Sequence, residues 1–179
     1  MKNLVLILAV TIGLSACGDK EEHHGHHMTK ETMDSMRDDL LKTDLAFSDL
    51  SDSKGRKAAF TEYAAENATM LRRFSMPLTG KDTIAGLLSR TPDSLYHLTW
   101  KPISCDVARS GEIGFTYGTY LLDIKGIGQE QGTYNTVWHK DSNKKWKYLL
   151  ITGNQGLSPD EQDKDKVIDD KRAGQAKKK

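Results

Sequence analysis

From Leu95 to Gly153 the chain reads as four successive runs, LYHLTWKPISCDVA, GEIGFTYGTYLLDI, QGTYNTVWHK and KWKYLLITG, each rich in aromatic and β-branched residues. Such residues fit a pleated, half-buried surface, and turn signals stand between the runs. Consecutive long strands with short connections predict an antiparallel meander. Whatever precedes them must then cover one face of that sheet.

The preceding residues have a different period. Met33, Met36, Leu40, Leu41, Phe47 and Leu50 recur at steps of three and four, which is one face of a helix. Gly55 breaks that helix, RKAAFTEYAAE makes a second and shorter one, and NATMLRRFSMPLTG reads as extended, punctuated by Pro77 and Gly80. KDTIAGLLSR is a third helix. Helices first and strands after predict an α+β fold, three N-terminal helices packed on a curved antiparallel sheet.

Composition divides the chain around this domain. Residues 33–156 hold all three tryptophans and nearly all the apolar periodicity. At about 120 residues they have the size of one ordinary domain. Residues 157–179 are charged, alternate in sign and lack aromatics, so they cannot bury enough surface to offset their ordering entropy; a frayed helix or disorder is expected there. Lys plus Arg total 26 against 25 Asp plus Glu, and no basic stripe interleaved with aromatics appears, which argues against a nucleic-acid partner.

Residues 1–16, MKNLVLILAVTIGLSA, carry one basic residue, Lys2, before an apolar core that falls short of the ~20 residues a membrane-spanning helix needs. This is a signal peptide. The LSAC that ends it resembles the bacterial lipobox, which implies that Cys17 is acylated and becomes the first residue after cleavage. The alternative is a plain secretory signal cut near Ala16, with Cys17 left as a thiol. Two or three acyl chains on one cysteine hold a small domain stably at a bilayer. The adjoining GDKEE is similar to the export signal of Bacteroidota surface lipoproteins, which implies an outer-membrane anchor in the cell envelope and a domain outside the cell. With Cys17 lipidated, Cys105 has no partner for an intrachain disulfide and is expected as a buried, inert thiol.

Within the domain, the fragments LLKTDLAFSDLSDSKGRKAAFTEYAAENATML, PLTGKDTI, LTWKP, SGEIGFTYGTY, GTYNTVWHK and KWKYLLITGN resemble, in order and spacing, the nuclear transport factor 2-like superfamily. More narrowly, they resemble its SnoaL-like branch, domain of unknown function 4440. The resemblance covers residues 36–154. It implies a cone, a strongly bent sheet wrapped around helices and open at one end, often paired through its sheet into a homodimer.

That fold hosts isomerases, dehydratases, cyclases and plain binders, so the residues must decide. Alternation puts Phe115, Tyr117 and Thr119 on one face of their strand and Gly114, Gly118 and Tyr120 on the other; Tyr134, Thr136 and Trp138 likewise share a face. Which face lines the cone stays open at this point. Trp100, Tyr117, Tyr134 and Trp138 are the aromatic pocket candidates, each an apolar body with a polar handle suited to a small apolar or aromatic molecule. The alternative is that they pack the core and the dimer sheet.

An isomerase-like enzyme of this superfamily needs a carboxylate poised for proton transfer. The aspartate that related sequences commonly carry in the last strand falls on Ile151, which transfers no protons. Asp44 matches an acidic position of the family and, with His97, is the candidate acid or base. As a plain helix-surface carboxylate, Asp44 would be satisfied by neighbours such as Lys42 or Arg72, and His97 would be a satisfied structural histidine. Binding is therefore favoured over catalysis. No cofactor is implied. A third possibility rests on His23, His24, His26 and His27 of the polar tether 17–32, whose neutral imidazoles suit Zn, Cu or Ni.

Overall fold

The computed structural model of the protein describes residues 29–156. The leader, Cys17, His23, His24, His26, His27 and the charged tail lie outside the described residues. Helix α1 spans Lys30–Lys54, opened by the Thr29 side chain, which accepts a hydrogen bond from the Thr32 N–H, and closed at Gly55, which adopts φ 87°. It turns Leu40, Asp44, Phe47, Ser48 and Ser51 inward, one stripe at helical spacing. Then come α2 (Arg56–Tyr63), β1 (Ala64–Leu71), the two-residue β2 (Leu78–Thr79), α3 (Lys81–Leu88) and a single 3-10 turn at Asp93–Leu95. Four long strands follow: β3 (Tyr96–Val107), β4 (Ile113–Ile124), β5 (Gly128–Lys140) and β6 (Trp146–Gln155).

The six strands form one sheet in the order β2-β1-β6-β5-β4-β3. The meander β3 to β6 is antiparallel as expected. The sheet is nevertheless mixed, because β1 lies parallel to β6. The reason is local. α2 releases the chain beside the start of β6, with Ala64 against Tyr148, and the only course left along that edge runs with β6. The same edge shortens the second helix. Ala64 and Ala65 are good helix formers, yet both are buried and Ala64 is already extended, so tertiary pairing overrides propensity.

The core lies between α1 and the inner face of the sheet, and it is aromatic. Phe47 is its hub, with ring centroids 4.6 Å from Trp100, 4.9 Å from Tyr63, 5.0 Å from Phe60, 5.7 Å from Tyr148 and 6.0 Å from Trp138. Shifts of register at Pro102/Ser104 and Val137/Trp138 bend the strands around this cluster. Curvature also brings backbones together at Gly118, where a Cβ would sit 2.0 Å from the Lys101 carbonyl oxygen, so no other residue fits without displacing β3.

The face question is settled by burial. Gly114, Thr116, Gly118 and Tyr120 of β4 turn inward with Gly132, Tyr134, Thr136 and Trp138 of β5, while Phe115, Tyr117 and Thr119 face out.

Candidate functional site

The inward stripe of α1 carries one charge, Asp44, and its side chain is 0 % exposed. A buried carboxylate is costly unless hydrogen-bonded, and two strands supply the donors. Trp100 of β3 donates its indole N–H to Oδ1 at 2.9 Å, and Tyr134 of β5 donates its hydroxyl to Oδ2 at 2.7 Å. Thr116 of β4 places its hydroxyl beside the same carboxylate and also favours its charged form. The Thr116 hydroxyl is itself held by the Trp138 indole N–H at 2.9 Å. Asp44, Trp100, Tyr134, Thr116 and Trp138 thus form one connected polar network inside an aromatic core.

Its electrostatics follow from burial. Desolvation pushes Asp44 above the usual carboxylate range, against the neighbouring Tyr134, Trp100 and Thr116 side chains, which pull it down. Tyr134 is pushed up by burial and by the carboxylate beside it. Two serines of α1 extend the attachment: Ser48 Oγ accepts the Trp100 N–H at 2.8 Å, and Ser51 Oγ donates to the Leu98 carbonyl at 2.8 Å.

Four of the residues singled out from the sequence, Asp44, Trp100, Tyr134 and Trp138, therefore meet, and three do not join them. Tyr117 points outward from the sheet. His97 is on the outer surface with its Nε2 bonded to Asp52 of α1, so it has a partner carboxylate but no enclosure. Arg72 is exposed just beyond the end of β1. The neighbours that satisfy Asp44 are neutral donors rather than Lys42 or Arg72, because the side chain points into the core instead of along the helix surface. Ile151 is buried in the core, so the last strand supplies packing and no carboxylate. Thr116 was not anticipated; its signal is a hydroxyl between Gly114 and Gly118 on one strand face, polar where the alternation turns inward.

Chemically, this arrangement locks a helix to a sheet. A general base needs a lone pair that a substrate proton can reach, and both oxygens of Asp44 are already accepting bonds under close-packed aromatics. Cys105 is half-buried with its Sγ directed at the Arg37 carbonyl, and burial raises its thiol. Among the described residues no group of three His, Cys, Asp or Glu side chains is placed to hold a metal ion, and no helix is long and apolar enough to cross a membrane.

Open surface lies on the outer face of the sheet. Ile113, Phe115 and Tyr117 of β4 and the bulged Ile103 of β3 are exposed there. Beside them an open groove of about 630 Å³ is lined by Thr99, Lys101, Thr119, Leu121, Gln131 and Thr133.

No family model matches the sequence, and no curated protein matches it. Solved structures do match the fold. The chain is similar to a ketosteroid isomerase-like protein from Erwinia carotovora atroseptica, with a TM-score of 0.55 at 11% identity over 67% of this chain and 95% of that one. It is similar to a nuclear transport factor 2-like superfamily protein from Salmonella enterica serovar Typhimurium, with a TM-score of 0.55 at 12% identity over 70% and 94%. An LEH-like epoxide hydrolase from M. tuberculosis aligns with a TM-score of 0.50 at 14% identity over 67% and 80%. At such identities the likeness is one of fold: three helices on a six-stranded mixed sheet, the α+β nuclear transport factor 2-like architecture.

Proposed function

We propose that the protein is a membrane-tethered binding domain of the SnoaL-like type whose working surface is the outer face of its sheet. The observation that carries this is Asp44. The fully buried carboxylate of the inner face is held by indole and hydroxyl donors and covered by Trp100, Tyr134 and Trp138, which takes it out of reach as a base. The outer face, by contrast, exposes Ile103, Ile113, Phe115 and Tyr117 beside a groove within the size range of small-molecule sites. A second copy of the chain covers the apolar strip, sheet against sheet, and a small molecule with an apolar or aromatic body sits in the groove.

Lipid on Cys17 keeps the domain at the cell envelope, in the outer membrane and facing outward, as the lipobox-like LSAC and the following GDKEE support. Native mass spectrometry of the chain from residue 17 onward with Cys17→Ser tests the binding reading. A dimer or an organic adduct that disappears in Phe115→Arg supports it; a bare monomer unaffected by Phe115→Arg refutes it. The anchor is tested separately: the mass of the membrane-fraction protein carries acyl chains at Cys17, and Cys17→Ser is released to the soluble fraction.

One observation favours an enzyme instead. Burial holds the Asp44 carboxyl toward its neutral form next to a tyrosine hydroxyl, the kind of pair that moves protons once a cone opens. Under that reading Asp44→Asn abolishes turnover of an isomerase or dehydratase substrate while the fold survives.

A further inference from the structure

The three most exposed large apolar side chains among the described residues are Phe74, Met76 and Ile127, at 94, 82 and 82 %. Scattered single apolar groups are ordinary on a protein surface, but these three project from one end of the sheet. β1 runs with β6 and β6 runs against β5, so the 72–77 loop after β1 and the β4–β5 turn that carries Ile127 lie toward the same end of the sheet, with β6 between β1 and β5. Arg73 donates to the Gln155 side chain at the end of β6, and the Lys125 N–H donates to the Leu95 carbonyl at 2.9 Å, which ties the turn to the 3-10 segment.

Cations alternate with the apolar tips. Arg72 and Arg73 precede Phe74, Lys125 precedes Ile127, and the Arg73 guanidinium carbon lies 4.7 Å from the centroid of the Phe74 ring. Two acidic groups adjoin the turn: Glu130 accepts the Tyr120 hydroxyl at 2.5 Å, and Asp123 accepts from the Gln129 amide at 3.5 Å. Phe74 adopts φ 56°, a left-handed conformation that costs a bulky side chain and recurs at functional positions.

We propose that this end of the domain docks on a bilayer containing anionic phospholipid, with Phe74, Met76 and Ile127 entering the acyl boundary and Arg72, Arg73 and Lys125 at the phosphates. A folded protein partner is a poorer fit, because such interfaces close over a continuous packed core. These side chains stand on separate convex tips, whereas a deformable lipid surface accepts each tip alone and rewards interleaved cations. The docking rests on the tethered reading only for how the domain arrives. α1 begins at the opposite end, where Arg37 pairs with Asp106 at 2.8 Å beside the β3–β4 turn. Its 25 residues measure about 37 Å. The chain from Cys17 to Thr29 spans at most about 40 Å when extended. At full extension that tether is about as long as α1.

The test uses the chain from residue 17 onward with Cys17→Ser, so that no acyl chain contributes, sedimented with vesicles of phosphatidylethanolamine plus phosphatidylglycerol and with vesicles of phosphatidylcholine alone. The expected result is binding to the anionic vesicles only, weakened by salt and by Arg72→Gln with Arg73→Gln. Phe74→Ser with Met76→Ser should reduce it about tenfold or more. Leu45→Ser, on the solvent side of α1, should leave it unchanged and shows that the loss is confined to the tips. No binding to either vesicle, or binding indifferent to the tip substitutions, overturns the docking. So does a Phe74 dependence found only in self-association without lipid, which would make the tips a protein contact. Failure here leaves the acyl mass at Cys17 unaffected, so the two readings fall separately.

Discussion

Removing the Asp44 side chain tests the account of the core most directly. Asp44→Ala leaves the Trp100 indole N–H and the Tyr134 hydroxyl without their acceptor in a site closed to water. Each orphaned donor costs about 1–3 kcal/mol, part of which is offset because a buried carboxylate no longer has to be desolvated. The net expectation is a loss of about 3–5 kcal/mol, a large share of the ~5–15 kcal/mol typical of a domain. Asp44→Asn should cost far less, about 1 kcal/mol, since the amide oxygen still accepts from Trp100 and the Tyr134 hydroxyl can rotate to accept from the amide N–H.

The two variants also separate in pH. Burial raises Asp44 in the folded state, so the folded protein holds this proton more tightly than the unfolded chain does. The stability contributed by Asp44 is thus fully present below its unfolded value of about 3.8 and falls as pH rises through the higher folded value. Asp44→Asn cannot titrate. Relative to it, the wild type should lose stability as pH rises above about 4 and run parallel only once the folded carboxyl has ionised. Urea unfolding followed by tryptophan emission is suited to the measurement, because Trp100, Trp138 and Trp146 are all buried. An Asp44→Ala variant within about 1 kcal/mol of wild type would refute the network as the attachment between helix and sheet. Parallel profiles for wild type and Asp44→Asn throughout would refute the raised pKa.

Gly118→Ala places a methyl carbon 2.0 Å from the Lys101 carbonyl oxygen and should cost about 3 kcal/mol or more by thermal melting, or prevent accumulation of folded protein. Gly86→Ala, in α3 with nothing within 4 Å of its added methyl, is the control and should be neutral or slightly stabilising. For the polar tether, calorimetric titration of the chain from residue 17 onward with Zn, Cu or Ni separates a solvated string, which gives no uptake, from metal capture by His23, His24, His26 and His27. Changing all four to alanine should abolish uptake, and uptake that persists would move the metal to the domain.

The elements were legible where the pattern is local. A period of two marks the four long strands and a period near 3.6 marks α1, and both survive in the fold within a few residues. What escaped was non-local. Nothing in AAENATML announces that it pairs with a strand some eighty residues later, or that pairing will draw Ala64 and Ala65 out of α2. The orientation of the sheet escaped for a different reason. Both faces of β4 carry aromatics, Phe115 and Tyr117 on one and Tyr120 on the other, so hydrophobicity alone is ambivalent. The glycines were the better guide: a Cβ at Gly114 would meet the Leu40 side chain at 2.7 Å, the mark of a face pressed against α1. Asp44, Trp100, Tyr134 and Trp138 could be named as candidates from residue type, but not as a network, because their meeting depends on the curvature that brings three strands over one turn of helix.

That network bears on where the molecule can act. A cone that binds or transforms a ligand internally must leave its inner face underpacked, with polar groups waiting for a partner. Here Trp100, Tyr134 and Trp138 each commit their polar atom to holding Asp44 or Thr116, and their rings fill the space around Phe47. Opening such an interior would break several buried hydrogen bonds and separate packed aromatics together, at a cost comparable to much of the stability of the domain. Surface sites carry no such requirement. The apolar strip of β4 and the tips at Phe74, Met76 and Ile127 are already exposed, and each gains by being covered without disturbing the core. The same residues make the core a rigid frame, able to hold those two surfaces at fixed positions relative to each other and to the start of α1.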